Sequence, residues 1–379
     1  MPVTHHDVRR DSFLGEEIIW EGGPSVVRTP PLFQLASVLA FVIAAISLAY
    51  GVVIALVLKT APTESMVFTI WCVTLGFAAR HLPLVWQRQL RYEITEKHVV
   101  YRRGRFRRTI ERSAISFARI YWHPDHPAVG DLELVRAVPT GALRRRLMLR
   151  LDGLAAPDRV WAIARGAESV APVGQAERPL TQRLDVGETV RWSARPRPSW
   201  RAYLPQGRRE WGTVVLALFL LFSAARMIWR AVPAVKALVA NGLTMGSLSF
   251  VALVFALTAS IAVVVAVAAF LVHAACIRPG YLIHHTRYLI TNRRVLIQRD
   301  NEELHLDRSR IVDVIDTPAG GGLSDVFLVL DGPRARALAA SGAFGEMQRG
   351  TNLRPVLRAL EDVEGVVQAL RGAPESQAA

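Results

Sequence analysis

The sequence predicts an α+β membrane protein: four transmembrane helices in two hairpins, each hairpin followed by a small β-barrel or sandwich capped by one C-terminal helix. Three observations predict it. Four apolar runs are each long enough to cross a bilayer, the polar stretches between them read as short strands, and the two halves of the chain repeat one another.

The chain has 379 residues, 51% of them hydrophobic, yet its formal net charge is +14. A mean hydropathy of +0.24 beside that charge arises when apolar and charged residues are segregated along the chain. Lysine is rare, so the positive charge is almost all arginine, gathered in segments that flank the apolar runs. That pattern points to anionic headgroups before nucleic acid. The two cysteines, Cys72 and Cys276, fall inside apolar runs, which disfavours a disulfide or a metal site. The opening MPVTHHDVRRDSFLGEE has no apolar core, so no cleaved signal peptide is expected and the first helix would itself direct insertion.

The runs are Leu32–Leu58, Met66–Trp86, Trp211–Trp229 and Leu248–Ile277. A helix spanning the hydrocarbon needs ~20 apolar residues, and each run meets that length or nearly so. Arg80 and Arg226 interrupt the second and third, and must snorkel or face other helices. Arginines cluster before the first run, after the second, before the third and after the fourth, which places both termini and both polar portions in the cytosol. The segment Arg230–Gly246 reads as a long loop. The resulting plan is an N-terminal cytosolic segment (1–31), hairpin 1 (32–86), a β-rich domain (87–170), a linker (171–210), hairpin 2 (211–277), a second β-rich domain (278–372) and a disordered tail (373–379).

The repeat carries the argument. Gly15-Glu16 through Trp20 recurs as Gly187-Glu188 through Trp192, 172 positions on. Arg91-Tyr92-Glu93-Ile94-Thr95 recurs as Arg287-Tyr288-Leu289-Ile290-Thr291 at a spacing of 196, and Ser113 and Ile115 recur at that same spacing as Ser309 and Ile311. Leu154, Asp158 and Val160 resemble Leu360, Glu364 and Val366. The polar portions read as short strands, beginning with the hairpins Leu90–Tyr101 and Thr286–Gln298. Further strands are expected at Arg107–Glu111, Ile115–Trp122, Asp131–Val135 and Leu147–Leu151. In the second half they are Leu304–Leu306, Ile311–Thr317 and Val326–Leu330. Helical segments Pro157–Ala164 and Leu353–Arg371 follow.

The order Gly-Glu-x-x-x-Trp-x-x-x-Pro, helix pair, Tyr-x-Ile-Thr-x-x-x-Val, then Gly/Ser-Asp before a strand resembles the bacterial pleckstrin-homology-like membrane proteins. The residues carrying the resemblance are Tyr92, Ile94, Thr95 and Val99, then Tyr288, Ile290, Thr291, Asn292, Arg294 and Val295, with Gly130-Asp131 and Ser324-Asp325 at the later turn. The first copy departs at Glu96 and His98, where the second has Asn292 and Arg294. The resemblance implies about seven strands and one helix per domain. It implies no catalytic residues, and the fold by itself does not name a ligand.

The candidate lipid-headgroup residues are Arg102, Arg103, Arg105, Arg107 and Arg108, expected at a hairpin turn just after the second helix, with Arg144, Arg145 and Arg146 as a second cluster. Near a membrane surface each is worth ~1 kcal/mol of attraction to anionic lipid. The same arginines also read as a solvated hairpin that fixes topology. Trp86, Trp200, Tyr203 and Trp211 read as membrane-interface anchors. His123-Pro124-Asp125-His126 imitates a metal pair without further ligands, and Gly320-Gly321-Gly322 reads as a turn, because no Gly-Lys-Ser/Thr follows it. No catalytic residue, metal or cofactor is expected. The expected function is a non-enzymatic scaffold or regulator whose partners are anionic phospholipids, a membrane protein or a second copy, with nucleic acid disfavoured by the scarcity of stacking aromatics. The alternative is a membrane enzyme or transporter with a site between the helices, resting on Arg80 and Arg226.

Overall fold

A computed structural model describes residues 15–58, 61–136, 147–167, 180–197, 203–205, 208–240, 248–330 and 353–371. Helices α1 (Pro31–Leu58) and α2 (Thr63–Arg88) form the first hairpin, and α4 (Arg208–Ala240) and α5 (Leu248–Val272) the second. All four are long and apolar enough to cross a membrane, over Pro31–Val52, Thr63–Arg88, Glu210–Ala237 and Ser260–His284. Their side chains face outward: Leu32, Phe222 and Trp229 are 79%, 64% and 82% exposed. A water-soluble surface does not carry such a continuous apolar band. Small residues let the helices approach. Gly76 of α2 receives the ring of Phe41, which stands edge-on to Phe77 at 5.3 Å.

The segment Arg230–Gly246, expected as a loop, begins as helix, since α4 runs on to Ala240. Pro233 lies inside that helix. After α5 come five residues of π-helix, His273–Ile277, and then α6 (Arg278–His284).

The strands form two copies of one unit. In the first, β1 (Ile18–Gly22), β2 (Leu90–Thr95), β3 (His98–Arg103) and β4 (Phe106–Glu111) make an antiparallel four-stranded sheet. Then come β5 (Phe117–His123), β6 (His126–Arg136), β7 (Leu147–Ala155) and helix α3 (Pro157–Arg165). In the second, β8 (Val190–Ala194), β9 (Thr286–Thr291), β10 (Arg294–Arg299) and β11 (Glu302–Asp307) correspond to β1–β4. Strands β12 (Ile311–Gly320), β13 (Leu323–Leu330), β14 (Val356–Leu360) and helix α7 (Val363–Arg371) correspond to the rest.

Each helix hairpin is therefore inserted between the first and second strands of its unit. The repeated Gly-Glu segments are not linkers but lead into β1 and β8, which pair with β2 and β9 across the hairpin. One residue, Gln89 or His285, separates the last helix from the strand that follows.

Strand β5 of the first unit pairs antiparallel with β11 of the second, Ile120 opposite Glu303 and Ala118 opposite His305. This fuses three strands of one unit and four of the other into a seven-stranded sheet in the order β7-β6-β5-β11-β10-β9-β8. Alternation along β5 splits its side chains between two cores. Ala118, Ile120 and Trp122 enter the first core with Tyr92, Ile94, Leu132 and Trp161, while Phe117 enters the second with Tyr288, Ile290, Leu304 and Leu328.

One expected helix begins late. Leu353–Arg371 divides into strand β14 and the shorter α7. The helical spacing of Leu353, Leu357 and Leu360 misleads, because a bulge lets Leu357 and Leu360 both reach the core from a strand. Ala359 has φ +52°, and the β13–β14 register shifts there. Gly153 plays the same part in β7, with φ +65° between Leu151 and Leu154.

Candidate functional site

The arginines of the β3–β4 hairpin divide between two faces of the sheet. Register places Arg91 of β2 opposite Arg102 of β3, and Arg102 opposite Arg107 of β4. Three guanidinium groups thus form one row across three strands. Like charges directly opposite one another destabilise a sheet. It borders a cleft of about 530 Å³ lined by Glu21, Arg88, Gln89, Arg91, Glu93, Arg102 and Gly104. Arg88 closes α2, so the cleft opens where the second membrane span ends. Glu93, which lines the same cleft, stands 4.0 Å from Arg102 Nη1.

Arg103 and Arg108 project to the other face. Arg103 lies over the ring of Trp86 at 5.6 Å, joining the hairpin to the last turn of α2. Arg103 and Arg108, with Tyr101 and Phe106, line a second cleft of about 630 Å³ between β4 and β7, with Tyr121, Glu133, Arg150 and Asp152 among its other walls. Burial, only partly offset by Arg150, raises the Asp152 carboxyl above its ordinary value. Arg105 sits at the turn itself, beside Gly104 with φ +57°. Arg144, Arg145 and Arg146 lie outside the described residues, as do Trp200 and the tail 373–379.

The second copy replaces the row. Its corresponding positions are Arg287, Gln298 and Glu303, mutually opposite in β9, β10 and β11. Arg102 and Arg107 are among the candidates read from the sequence, whereas Arg91 is read there as part of the repeat and Arg88 and Arg150 carry no signal of their own. Strand parity and register would have found the row, because Arg91, Arg102 and Arg107 share a face only once the pairing is fixed.

The residues of the repeated motifs hold the units together. Glu188 accepts from Thr291 Oγ1 at 2.6 Å and from Arg294 Nε and Nη2 at 2.9 Å each. Glu16 accepts from Thr95 Oγ1 at 2.5 Å and from His98 Nδ1 at 2.9 Å. The Gly-Glu of one motif and the Thr of the other are thus two halves of one clamp, with His98 standing where the second copy has Arg294. Burial raises the Glu188 carboxyl, but its bonds and charge contact with Arg294 outweigh that and hold it below the usual range. Tyr92 and Tyr288 tie the first sheet to the last strand: the Tyr92 hydroxyl accepts from Asp152 N at 2.9 Å, and that of Tyr288 from Arg358 N at 2.9 Å. Burial drives the Tyr92 hydroxyl far up and that of Tyr288 up to about 12. Asp131 and Asp325 accept from Gly153 N and Ala359 N at 2.7 and 2.9 Å, fixing the two bulges. Ile94 and Ile290 are fully buried in their cores.

A pair unnoticed in the sequence completes this scheme. Arg112 bonds the carbonyls of Thr95, Ala164 and Ile163, and Arg308 those of Asn292 and Leu370, each locking the terminal helix to the first hairpin.

At the seam between units lies a buried charged network. Glu303 accepts from the Trp122 indole at 2.9 Å and pairs with Arg183, while His305 lies between Glu303 and Arg294. Arg119 donates to Glu133 at 3.0 Å and to the Leu353 carbonyl at 3.3 Å. His123 is paired with Asp131 at 3.0 Å, and among the described residues no three His, Cys, Asp or Glu gather as a metal would need. The turn at Gly321 and Gly322 joins β12 to β13.

Trp86, Tyr203 and Trp211 are 42%, 43% and 56% exposed, and Tyr203 lays its ring against the backbone of Gly280 in α6. Arg80 lies level with the chain entering α1, because Thr29 Oγ1 donates to its carbonyl at 3.3 Å.

Comparison with models of known protein families, with curated proteins and with solved structures found no match.

Proposed function

We propose that this chain is a non-enzymatic scaffold or regulator of a bacterial inner membrane, made of two pleckstrin-homology-like units, the first of which holds anionic phospholipid headgroups. The fold reading draws on the same order in each unit: four strands, three strands and a closing helix. The ligand reading rests on one observation, the row Arg91–Arg102–Arg107 beside Arg88 at the end of a membrane span. A phosphate placed there would gain charge-assisted hydrogen bonds.

All four sheet portions belong on one side of the bilayer. Each hairpin leaves and re-enters its own sheet, and β5–β11 pairing makes the two units continuous. The placement of arginines beside the spans supports the cytosol as that side. The scaffold reading draws support from Arg80, whose carbonyl accepts from Thr29 Oγ1, just ahead of α1.

The test is retention of lipid by the full chain. Protein in nanodiscs of mixed phosphatidylcholine and phosphatidylglycerol, extracted gently and weighed by native mass spectrometry, should keep phosphatidylglycerol selectively. The triple variant Arg91→Gln, Arg102→Gln, Arg107→Gln should lose that selectivity. Equal retention of both lipids by the parent, or unchanged selectivity in the variant, would reject the headgroup site.

A further inference from the structure

The joint inside this chain leaves one half of the same joint open at each end. Strand β11 of the second unit pairs with β5 of the first. Strand β4 holds in the first unit the place that β11 holds in the second, and β12 holds the place of β5. Among the described strands β4 and β12 each end their sheets, with one paired neighbour apiece. Burial records the difference. Leu304 and His305 of β11 and Ala118 and Ile120 of β5 are all but inaccessible, whereas Arg108 and Thr109 of β4 and Val312 and Asp316 of β12 are exposed.

We propose that a second copy of this chain adds its β12 to β4, repeating between molecules the joint that β5 and β11 make within one. Carrying over the observed register, with Ile120 opposite Glu303 and Ala118 opposite His305, sets Asp316 of one copy opposite Arg107 of the other and Val314 opposite Thr109. Opposite charges so placed stabilise a strand pair. Phe117 of β5 enters the second unit's core, and its counterpart on β12 is Asp313. By the same register Asp313, whose carboxylate accepts from Val314 N at 2.8 Å, stands opposite Ile110, next to a cleft whose walls carry Arg103 and Arg108 together with Glu133 and Asp152.

The two edges are also matched against themselves. Strand β4 presents Arg107 and Arg108, and β12 presents Asp313 and Asp316, so β4 on β4 or β12 on β12 would oppose like charges. Pro318 stands where Trp122 donates its N–H to Asn301 at 2.8 Å. Having no N–H, it ends the new ladder there, just past the four paired positions. The contact is head-to-tail, and repetition gives a ring or an open row. Because each unit hangs from a membrane hairpin through one residue, copies joined this way lie side by side in one bilayer.

Disulfide trapping tests this in the full-length protein with Cys72 and Cys276 replaced by serine. One chain carries Thr109→Cys, a second, differently tagged, carries Val314→Cys, and the two are co-expressed and oxidised in membranes. A covalent heterodimer is expected from the mixture and none from either chain alone. Arg107→Glu in the first chain should lower the yield about tenfold, and Asp316→Arg in the second should restore it. The intramolecular pair Ala118→Cys with His305→Cys reports that the internal joint has formed. If that pair closes while no heterodimer appears, or if charge reversal leaves the yield unchanged, the edge-to-edge contact is wrong.

Discussion

The indole N–H of Trp122 in the first unit donates to the carboxylate of Glu303 in the second at 2.9 Å, with both side chains buried at the seam where the two sheets become one. Neither group has water to fall back on, so the bond is part of what makes two repeats a single body. Trp122→Phe keeps most of the ring volume and removes the donor. We expect a loss of about 1–3 kcal/mol, seen as a lower midpoint of thermal unfolding in detergent. Glu303 keeps Arg183 and His305 in that variant, so collapse of the protein would show that the indole carries more than its hydrogen bond.

The neighbouring histidine makes the seam sensitive to acid. Arg294 donates to His305 Nδ1 at 3.1 Å, and a guanidinium cannot accept, so that nitrogen is unprotonated and Nε2–H donates to Glu303 at 3.2 Å. Burial, with the charge of Arg294 adding to it, pushes the His305 imidazole below its ordinary value despite the pull of Glu303. A group depressed in the folded state lends stability above its unfolded pKa, ~6.5, and that stability is lost as pH falls through the folded value. The unfolding midpoint should therefore decline from pH 7 towards pH 5. His305→Gln should flatten that portion of the profile, and an unaltered slope would move the acid sensitivity elsewhere.

The duplicated clamp offers a matched pair of substitutions. The Glu188 side chain is 0% exposed and faces Arg294, whereas the Glu16 side chain is 15% exposed and faces His98. Removing one partner of a buried ion pair strands the other charge, so Glu188→Ala should destabilise by about 3–5 kcal/mol. Glu16→Ala should cost clearly less, since water can replace what is lost. Chemical unfolding of the two variants beside the parent checks the order, and an equal loss would contradict the role of burial.

Two glycines at positive φ make a further prediction. At Gly153, with φ +65°, an added Cβ would fall 2.3 Å from the carbonyl oxygen of Val26, which lies in the segment entering α1. Gly104 has φ +57° with nothing within 4 Å. Gly104→Ala should therefore bear only the left-handed backbone penalty, about 1 kcal/mol. Gly153→Ala should bear that penalty and also displace the chain that bonds Ser25 N to the Gly153 carbonyl at 2.7 Å. Differential scanning fluorimetry should rank Gly153→Ala well below Gly104→Ala.

What the sequence determined by itself was whatever depends on local composition and period. Four apolar runs announce four helices because ~20 apolar residues have few other uses, and Trp20/Trp192 with Tyr92/Tyr288 announce a duplication because matched order is independent of fold. Tertiary structure decided everything that depends on pairing. Only register brings Arg91, Arg102 and Arg107 into one row and parts Arg103 and Arg108 from them, since a strand's neighbours are set by partners distant in sequence. Only the fold shows that Glu16 and Thr95, 79 positions apart, close one clamp, and that β5 of one repeat is completed by β11 of the other. Helices satisfy their backbone within one segment and so are legible there, whereas a strand leaves half of its hydrogen bonds to be met by chain that the local sequence does not name.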